Sequence, residues 1–197
     1  FSGAVVNLPE LEQAAAGNGS FNSWPDSDGI NRRVSLLMRI GGQIIPSLAA
    51  EALRAAQGAS TISIKAVGAS GEGGFGAHTG IAKIKIGTYA VPTDAHGRIW
   101  LHFTGPAPAR TIPIWKIFEK DFDPRSLAGA IVFVGSSAAG LKDQRATPLN
   151  PVAPGVEIHA QVVEQILLQK FLERPDWATG AEVLYMLFFG TGLILLL

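Results

Sequence analysis

Residues 183–197 read Val-Leu-Tyr-Met-Leu-Phe-Phe-Gly-Thr-Gly-Leu-Ile-Leu-Leu-Leu, without one charged side chain. A helix that crosses a bilayer needs about twenty mostly apolar residues. Taken with residues 178–181, and with Glu182 as the single charge, this run is expected to be the start of a transmembrane helix. Tyr185, Met186, Phe188 and Phe189 point around the whole circumference of such a helix, which suits lipid or deep burial rather than one packed face. A buried core helix or a dimer contact is the competing reading. The chain opens on Phe1, with no basic, apolar and small-residue leader pattern, so the sequence reads as a piece of a longer membrane protein. The expected organisation is a folded domain over residues 1–173 and a juxtamembrane segment with the beginning of the membrane helix over residues 174–197.

The roughly 170 residues before that segment suit one globular domain. An apolar share of 47 %, with 23 Gly and 12 Pro, supplies a core and many turns. Sixteen basic and sixteen acidic residues cancel, and no basic stripe appears, which argues against a nucleic-acid partner. With no cysteine, a disulfide scaffold and a thiolate site are both excluded.

Hydrophobic periodicity predicts an α/β fold, a mixed β-sheet with flanking helices. Residues 17–24 lead into Pro25-Asp26-Ser27-Asp28-Gly29, a hairpin-turn composition. Val34, Leu36, Met38 and Ile40 then alternate as in a half-buried strand. Pro46 opens a helix that Gly58 closes, with Ala52, Leu53 and Ala56 on its buried stripe. Residues 61–67 and 81–86 alternate as strands around a glycine-rich loop. Residues 87–91 and 98–103 form a further pair around Asp94-Ala95-His96-Gly97. Residues 112–122 read as a short amphipathic helix, and 130–134 as a strand covered on both faces. Val156, Ala160, Val163 and Phe171 recur at helical spacing over residues 155–173, and Pro175 separates that helix from the apolar run.

Several patterns suggest enzymatic chemistry and fail on a local requirement. Gly71-Glu72-Gly73-Gly74-Phe75-Gly76 fits the dinucleotide fingerprint, but a strand follows where a helix N-terminus must receive the pyrophosphate. Gly135-Ser136-Ser137-Ala138-Ala139-Gly140 follows a predicted strand. A phosphate loop needs Lys where Leu141 stands, and a nucleophile elbow needs Gly where Ala139 stands. What remains is a glycine-bearing turn whose backbone N–H groups can collect around a small anion or polar ligand. His78, His96, His102 and His159 lack zinc-ligand spacing. Asp26 and Asp28 lack the further oxygen ligands of a calcium loop, and a turn is sufficient, with Arg32 and Arg33 after it either solvated or paired to those aspartates. No metal or cofactor is expected.

His159 lies with Glu157 in the first turn of the last helix of the folded part, just after Lys142-Asp143-Gln144-Arg145-Ala146-Thr147-Pro148. It could titrate in a shared cleft. A histidine bonded to a nearby backbone carbonyl is the ordinary alternative. The candidate ligand-binding residues are therefore Ser136, Ser137, Lys142, Asp143, Arg145, Thr147, Glu157 and His159, with no catalytic residue among them. A hydrolase using Ser136 or Ser137, with His159 as base, is the competing class, and a membrane-anchored spacer a third.

Asp26-x-Asp28-Gly29-x-x-Arg32-Arg33-Val34-x-Leu36, then Pro46-Ser47-Leu48-Ala49-x-Glu51-Ala52-Leu53, then Val91-Pro92-Thr93-Asp94-x-x-Gly97-Arg98, resembles the middle of the type-2 CHASE sensory domains. Ile131-Val132-Phe133-Val134-Gly135-Ser136-Ser137-Ala138-Ala139-Gly140-Leu141-x-Asp143, with Ala146-Thr147-Pro148-Leu149 and Pro154-Gly155-Val156-Glu157-Ile158-His159-Ala160, is similar to that family's signature in order and gaps. The resemblance covers residues 17–177. It implies an extracytoplasmic input domain of a bacterial transmembrane receptor in the inner membrane, without enzymatic activity of its own. It also implies a cytosolic output domain: a nucleotide cyclase, a histidine kinase, a Ser/Thr kinase or a diguanylate cyclase. The wording around Ala146-Thr147-Pro148-Leu149 looks most like members attached to adenylate or guanylate cyclases. The partners so implied are the membrane, an unknown small-molecule or envelope ligand, and a second copy in a homodimer.

Overall fold

The computed structural model describes residues 3–68, 80–105, 107–141, 143–173 and 178–196. Its core is laid down by strand alternation. In β5 (Ile81–Ile86), Ile84 and Ile86 are fully buried while Lys83 and Lys85 face water, the inward–outward period that a pleated strand imposes. β5 is the middle strand of an antiparallel sheet with β4 (Ile62–Ala66) and β6 (Tyr89–Pro92). Among the described residues three two-stranded antiparallel sheets join it. They are β1 (Arg33–Ser35) with β7 (Arg98–Trp100), β2 (Leu37–Ile40) with β3 (Gln43–Pro46), and β8 (Gln144–Arg145) with β9 (Ala153–Pro154).

Two helices cover these strands. α2 (Leu48–Ala56) begins at Ser47, whose hydroxyl accepts the Ala50 N–H at 3.3 Å, a side-chain cap on a donor the helix itself cannot satisfy. At its far end Gln57 donates to the carbonyls of Leu53 and Ile86 and accepts from the Thr88 N–H and hydroxyl, joining helix to sheet. α3 (Gly155–Leu167) buries Ile158, Val162, Val163 and Ile166 along one stripe. These pack with Ala49, Ala50 and Leu53 of α2 and with Val34, Leu36, Ile84, Ile86, Val91, Ile99 and Leu101. Each large aliphatic side chain so buried contributes about 1.5–3 kcal/mol. A six-residue helix, α1 (Pro9–Ala14), buries nothing.

The strand expectations for residues 61–67 and 81–86 and the helix expectation between Pro46 and Gly58 agree with the structure, although Pro46 ends β3, the helix starts at Leu48 and Ala56 of its expected buried stripe is exposed. The single strand expected over residues 34–40 is divided at Leu36 into β1 and β2, which pair in different sheets. Elsewhere the structure differs. The strands form small antiparallel sheets in place of one mixed sheet. Residues 87–91 and 98–103 do not pair with each other. The turn at Asp94, where the Asp94 N–H donates to Arg98 O and Oδ1 receives the His96 and Arg98 N–H groups, sends the chain from one sheet into another. Residues 130–134 have no ladder partner among the described residues. Ile131 and Phe133 lean on the core, whereas Val132 and Val134 are 51 % and 77 % exposed, so the strand covered on both faces is not formed. The helix expected over 112–122 is a single 3₁₀ turn at Ile114–Phe118 with no buried residue. α3 stops at Leu167, six residues before the expected end, where Gln169 takes a left-handed conformation (φ 52°) and Lys170 N–H returns to Gln165 O.

The terminal apolar run is helical: α4 spans Ala178–Leu196, 19 residues. At 1.5 Å per residue it is about 28 Å long, and its uncharged part after Glu182 about 21 Å, against a hydrocarbon core of about 30 Å. Among the described residues no helix is long and apolar enough to cross a membrane. No residue of α4 belongs to the core. The motif Gly71–Gly76 and His78 lie outside the described residues.

Candidate functional site

Two glycines allow the chain to close around the first turn of α3. A Cβ on Gly135 would fall 2.5 Å from Val156 Cβ, and one on Gly155 would collide with the Asp143 carboxylate. Asp143 O accepts the Gly155 N–H at 2.8 Å, which uses one of the unpaired donors of the helix start. The Asp143 carboxylate lies 3.7 Å from Arg145 Nη2. Arg145 Nε in turn donates to Ser23 Oγ at 3.1 Å, across 122 positions of sequence. The neighbouring strand edge is tied to the same N-terminal segment, because Asn31, 2 % exposed, donates to Ala146 O from both its backbone and its side chain.

His159 sits one turn further along α3 and is 5 % exposed. Its ring stacks on Phe133 with centroids 6.4 Å apart and planes 24° apart. Burial pushes its pKa below the usual histidine range. The main chain of Phe21 and the charge of Asp143 oppose that shift, while Arg145 adds to it. Nδ1 is buried and has no hydrogen-bond partner among the described residues.

The remaining candidates divide. Thr147 is buried in a local turn, its hydroxyl donating to Asn150 O and accepting the Asn150 N–H, both at 3.0 Å. Together with Glu157, Phe103, Asn150 and Gln161 it lines a cavity of about 10 Å³, room for about one water molecule. Ser136 is half-buried and its hydroxyl accepts the Ala138 N–H at 3.3 Å, while Ser137 is exposed. Neither serine is hydrogen-bonded to His159 among the described residues, so the contact that would activate a nucleophile is not formed. Lys142 lies outside the described residues. The structure thus brings together Asp143, Arg145 and His159, and places Thr147 with Glu157 at a separate cavity. Among the described residues no cluster of acidic and imidazole groups suits a metal ion.

Sequence reasoning missed Ser23, Asn31 and Phe133. Phe133 stands in an unbroken apolar run, in which nothing local separates its inward face from the exposed Val132 and Val134. The other two act through contacts more than a hundred residues away, which no local pattern encodes.

The family model for the CHASE2 domain matches residues 2–197. The chain belongs to the CHASE2 domain family. CHASE2 is a sensory domain of signalling receptors and not a catalytic module. None of the curated proteins or solved structures compared with the chain matches it. In this CHASE2 domain the signature stretches that follow Ile131 and Pro154 are the ones that meet, around Gly135, Asp143, Gly155 and His159.

Proposed function

We propose that this CHASE2 domain is the extracytoplasmic input of a bacterial inner-membrane receptor. It regulates a cytosolic adenylate or guanylate cyclase, with a histidine or Ser/Thr kinase as the second choice of output. The observation that carries this reading is the placement of α3. Its first turn is wedged between the Gly135 and Asp143 segments, and its far end precedes α4, a helix apolar on every side. A stimulus that favours one of two arrangements around the first turn shifts α3, and the displacement passes toward the membrane. On this reading residues 174–197 are the juxtamembrane segment and the entry of a transmembrane helix, and the receptor works as a homodimer because cyclase and kinase domains act in pairs. The candidate stimulus-responsive residues are Ser136, Ser137, Lys142, Asp143, Arg145, Thr147, Glu157 and His159. The cavity at Thr147 admits only about one water, so a small-molecule ligand would bind there only after the surrounding loops part.

Topology and signalling are testable in the full receptor. The chain has no cysteine, so Ser137→Cys on the exposed loop creates a unique label site in this domain. The expected outcome is labelling of intact spheroplasts by a membrane-impermeant maleimide, and labelling only after lysis would overturn the extracytoplasmic placement. Glu157→Ala is expected to change cyclic-nucleotide output at least several-fold while the thermal melt of the domain stays within a few degrees. An unchanged output, or a collapsed fold, would remove Glu157 from the responsive group.

A further inference from the structure

We propose that His159 is a proton-operated latch: a proton taken up by its buried imidazole draws Asp143 away from Arg145 and releases the first turn of α3 from the segment that carries Ser23. The ring of His159 is faced by groups from several segments. From residues 131–135 it meets Phe133, which carries no charge. From the N-terminal segment it meets the main chain of Phe21, and from the stretch ending in β8 it feels Asp143 and Arg145, of opposite sign. Lys142, next to Asp143 in sequence, lies outside the described residues. On its own helix the acids are Glu157, which faces the small cavity with Thr147, and Glu164, which is held by Arg110 at 2.5 Å. Among the described residues Asp143, whose carboxylate stands against Gly155 one turn before His159, is therefore the carboxylate placed to answer a charge on it.

A neutral imidazole suits this position, since the ring is buried against Phe133 and Nδ1 has no partner among the described residues. The protonated ring has two N–H donors, and an unpaired charged donor in a dry pocket is costly. The Asp143–Arg145 pair is the weak link nearby, at 3.7 Å and with both side chains about one-third exposed, the kind of pair that contributes little. Moving the carboxylate to Nδ1 relieves the buried charge. It also alters the Asp143 carbonyl bond to Gly155 and the Arg145 bond to Ser23, so one proton loosens two attachments of α3. The sign follows from linkage. A histidine depressed in the closed arrangement favours that arrangement above pH of about 6.5, and its contribution fades as pH falls below that value, where the opened form takes the proton first. The latch deepens the sensor reading above by naming acidification as a stimulus, and it rests on that reading only for its effect on output.

Hydrogen exchange of the full 197-residue chain in detergent micelles, followed from pH 7.5 to 5.0 and corrected for intrinsic rates, tests it. The opening equilibrium at the first turn of α3 is expected to grow with falling pH, by up to about tenfold per unit. The slope is expected to vanish in His159→Gln and to become shallower in Asp143→Asn. A flat profile in the wild type, or an equal slope in His159→Gln, overturns the latch. Imidazole NMR provides a readout that needs no variant: His159 must titrate below the ordinary histidine value of about 6.5, and titration at or above that value overturns the proposal. A receptor whose output ignores pH while the exchange signature persists counts against the output reading and leaves the latch standing.

Discussion

At the scale of single residues, several side chains and glycines are fixed by what stands against them. Asp26 receives both Arg32 and Arg33, and Arg33 also lies over the Trp100 ring at 5.1 Å. The hydrogen bond from Arg33 holds the Asp26 carboxyl below its usual range, and that from Arg32 lowers Asp28 to about 2. The turn composition of residues 25–29 foretold the turn. It left Arg32 and Arg33 either solvated or paired, which the structure decides as paired, and it gave no sign of the aromatic platform, which arrives from β7. Gly19 shows the same dependence on distant chain. A Cβ there would lie 2.6 Å from Leu48 Cα and 2.9 Å from Ser47 O, backbone atoms that cannot step aside. Ser20 bridges Ser47 beside it, with Ser20 N–H on Pro46 O and Leu48 N–H on Ser20 O. Gly19→Ala is expected to destabilise the fold by about 1–3 kcal/mol, read as a lowered midpoint in chemical denaturation with an unchanged slope. A midpoint equal to wild type would show that the segment yields at no cost.

At the scale of elements, α3 is the best-argued piece and Gln165 the reason for its seating. Gln165 is 4 % exposed, donates to Trp100 O at 2.9 Å and accepts from His102 N–H at 2.8 Å, continuing the hydrogen bonding of β7 after its ladder to β1 ends. Gln165→Ala leaves both backbone groups without that partner, a cost of about 1–3 kcal/mol. The expected signature is a lower melting temperature with faster exchange at His102, and protection at His102 equal to wild type would refute the role. That α3 is a helix was readable from helical spacing, but of the stripe read there, Val156, Ala160, Val163 and Phe171, only Val163 is buried and Ala160 is exposed, the buried face being Ile158, Val162, Val163 and Ile166. The early stop of α3 was not readable, because Leu167 and Leu168 carry an apolar pattern onward while Gln169 turns left-handed. The segments 112–122 and 130–134 mark the opposite error. Apolar composition alone suggested elements there, but regular structure needs a partner to pay the ordering entropy, and these segments have no ladder in the structure.

At the scale of the whole molecule, burial is uneven. Between His102 and Ala146 none of the described residues is buried, and Ile114, Trp115, Phe118, Val134 and Leu141 are each more than half exposed. The core is made by the chain before and after this stretch, with α2 and α3 across the strands. α4 adds nothing to it. Truncation after Glu173 is therefore expected to move the melting temperature by no more than a few degrees, since a change of 1 kcal/mol corresponds to about 2–4 °C at this size. The same truncation is expected to remove the need for detergent. A loss of the cooperative melt would show that α4 packs on the domain and is not a separate apolar rod.

The sequence by itself determined the family, the identity of α2 and α3, the strands from Val34 to Ile40 and from Ile81 to Ile86, and the all-apolar character of residues 183–196, because each rests on local periodicity or an ordered motif. Only the tertiary structure decided that β7 pairs with β1, that Ser23 reaches Arg145, and that Asp143, Arg145 and His159 form one group while the serines remain apart. Those are contacts between residues far apart in the chain, and their energies depend on which surfaces meet, a quantity that no window of neighbouring residues contains.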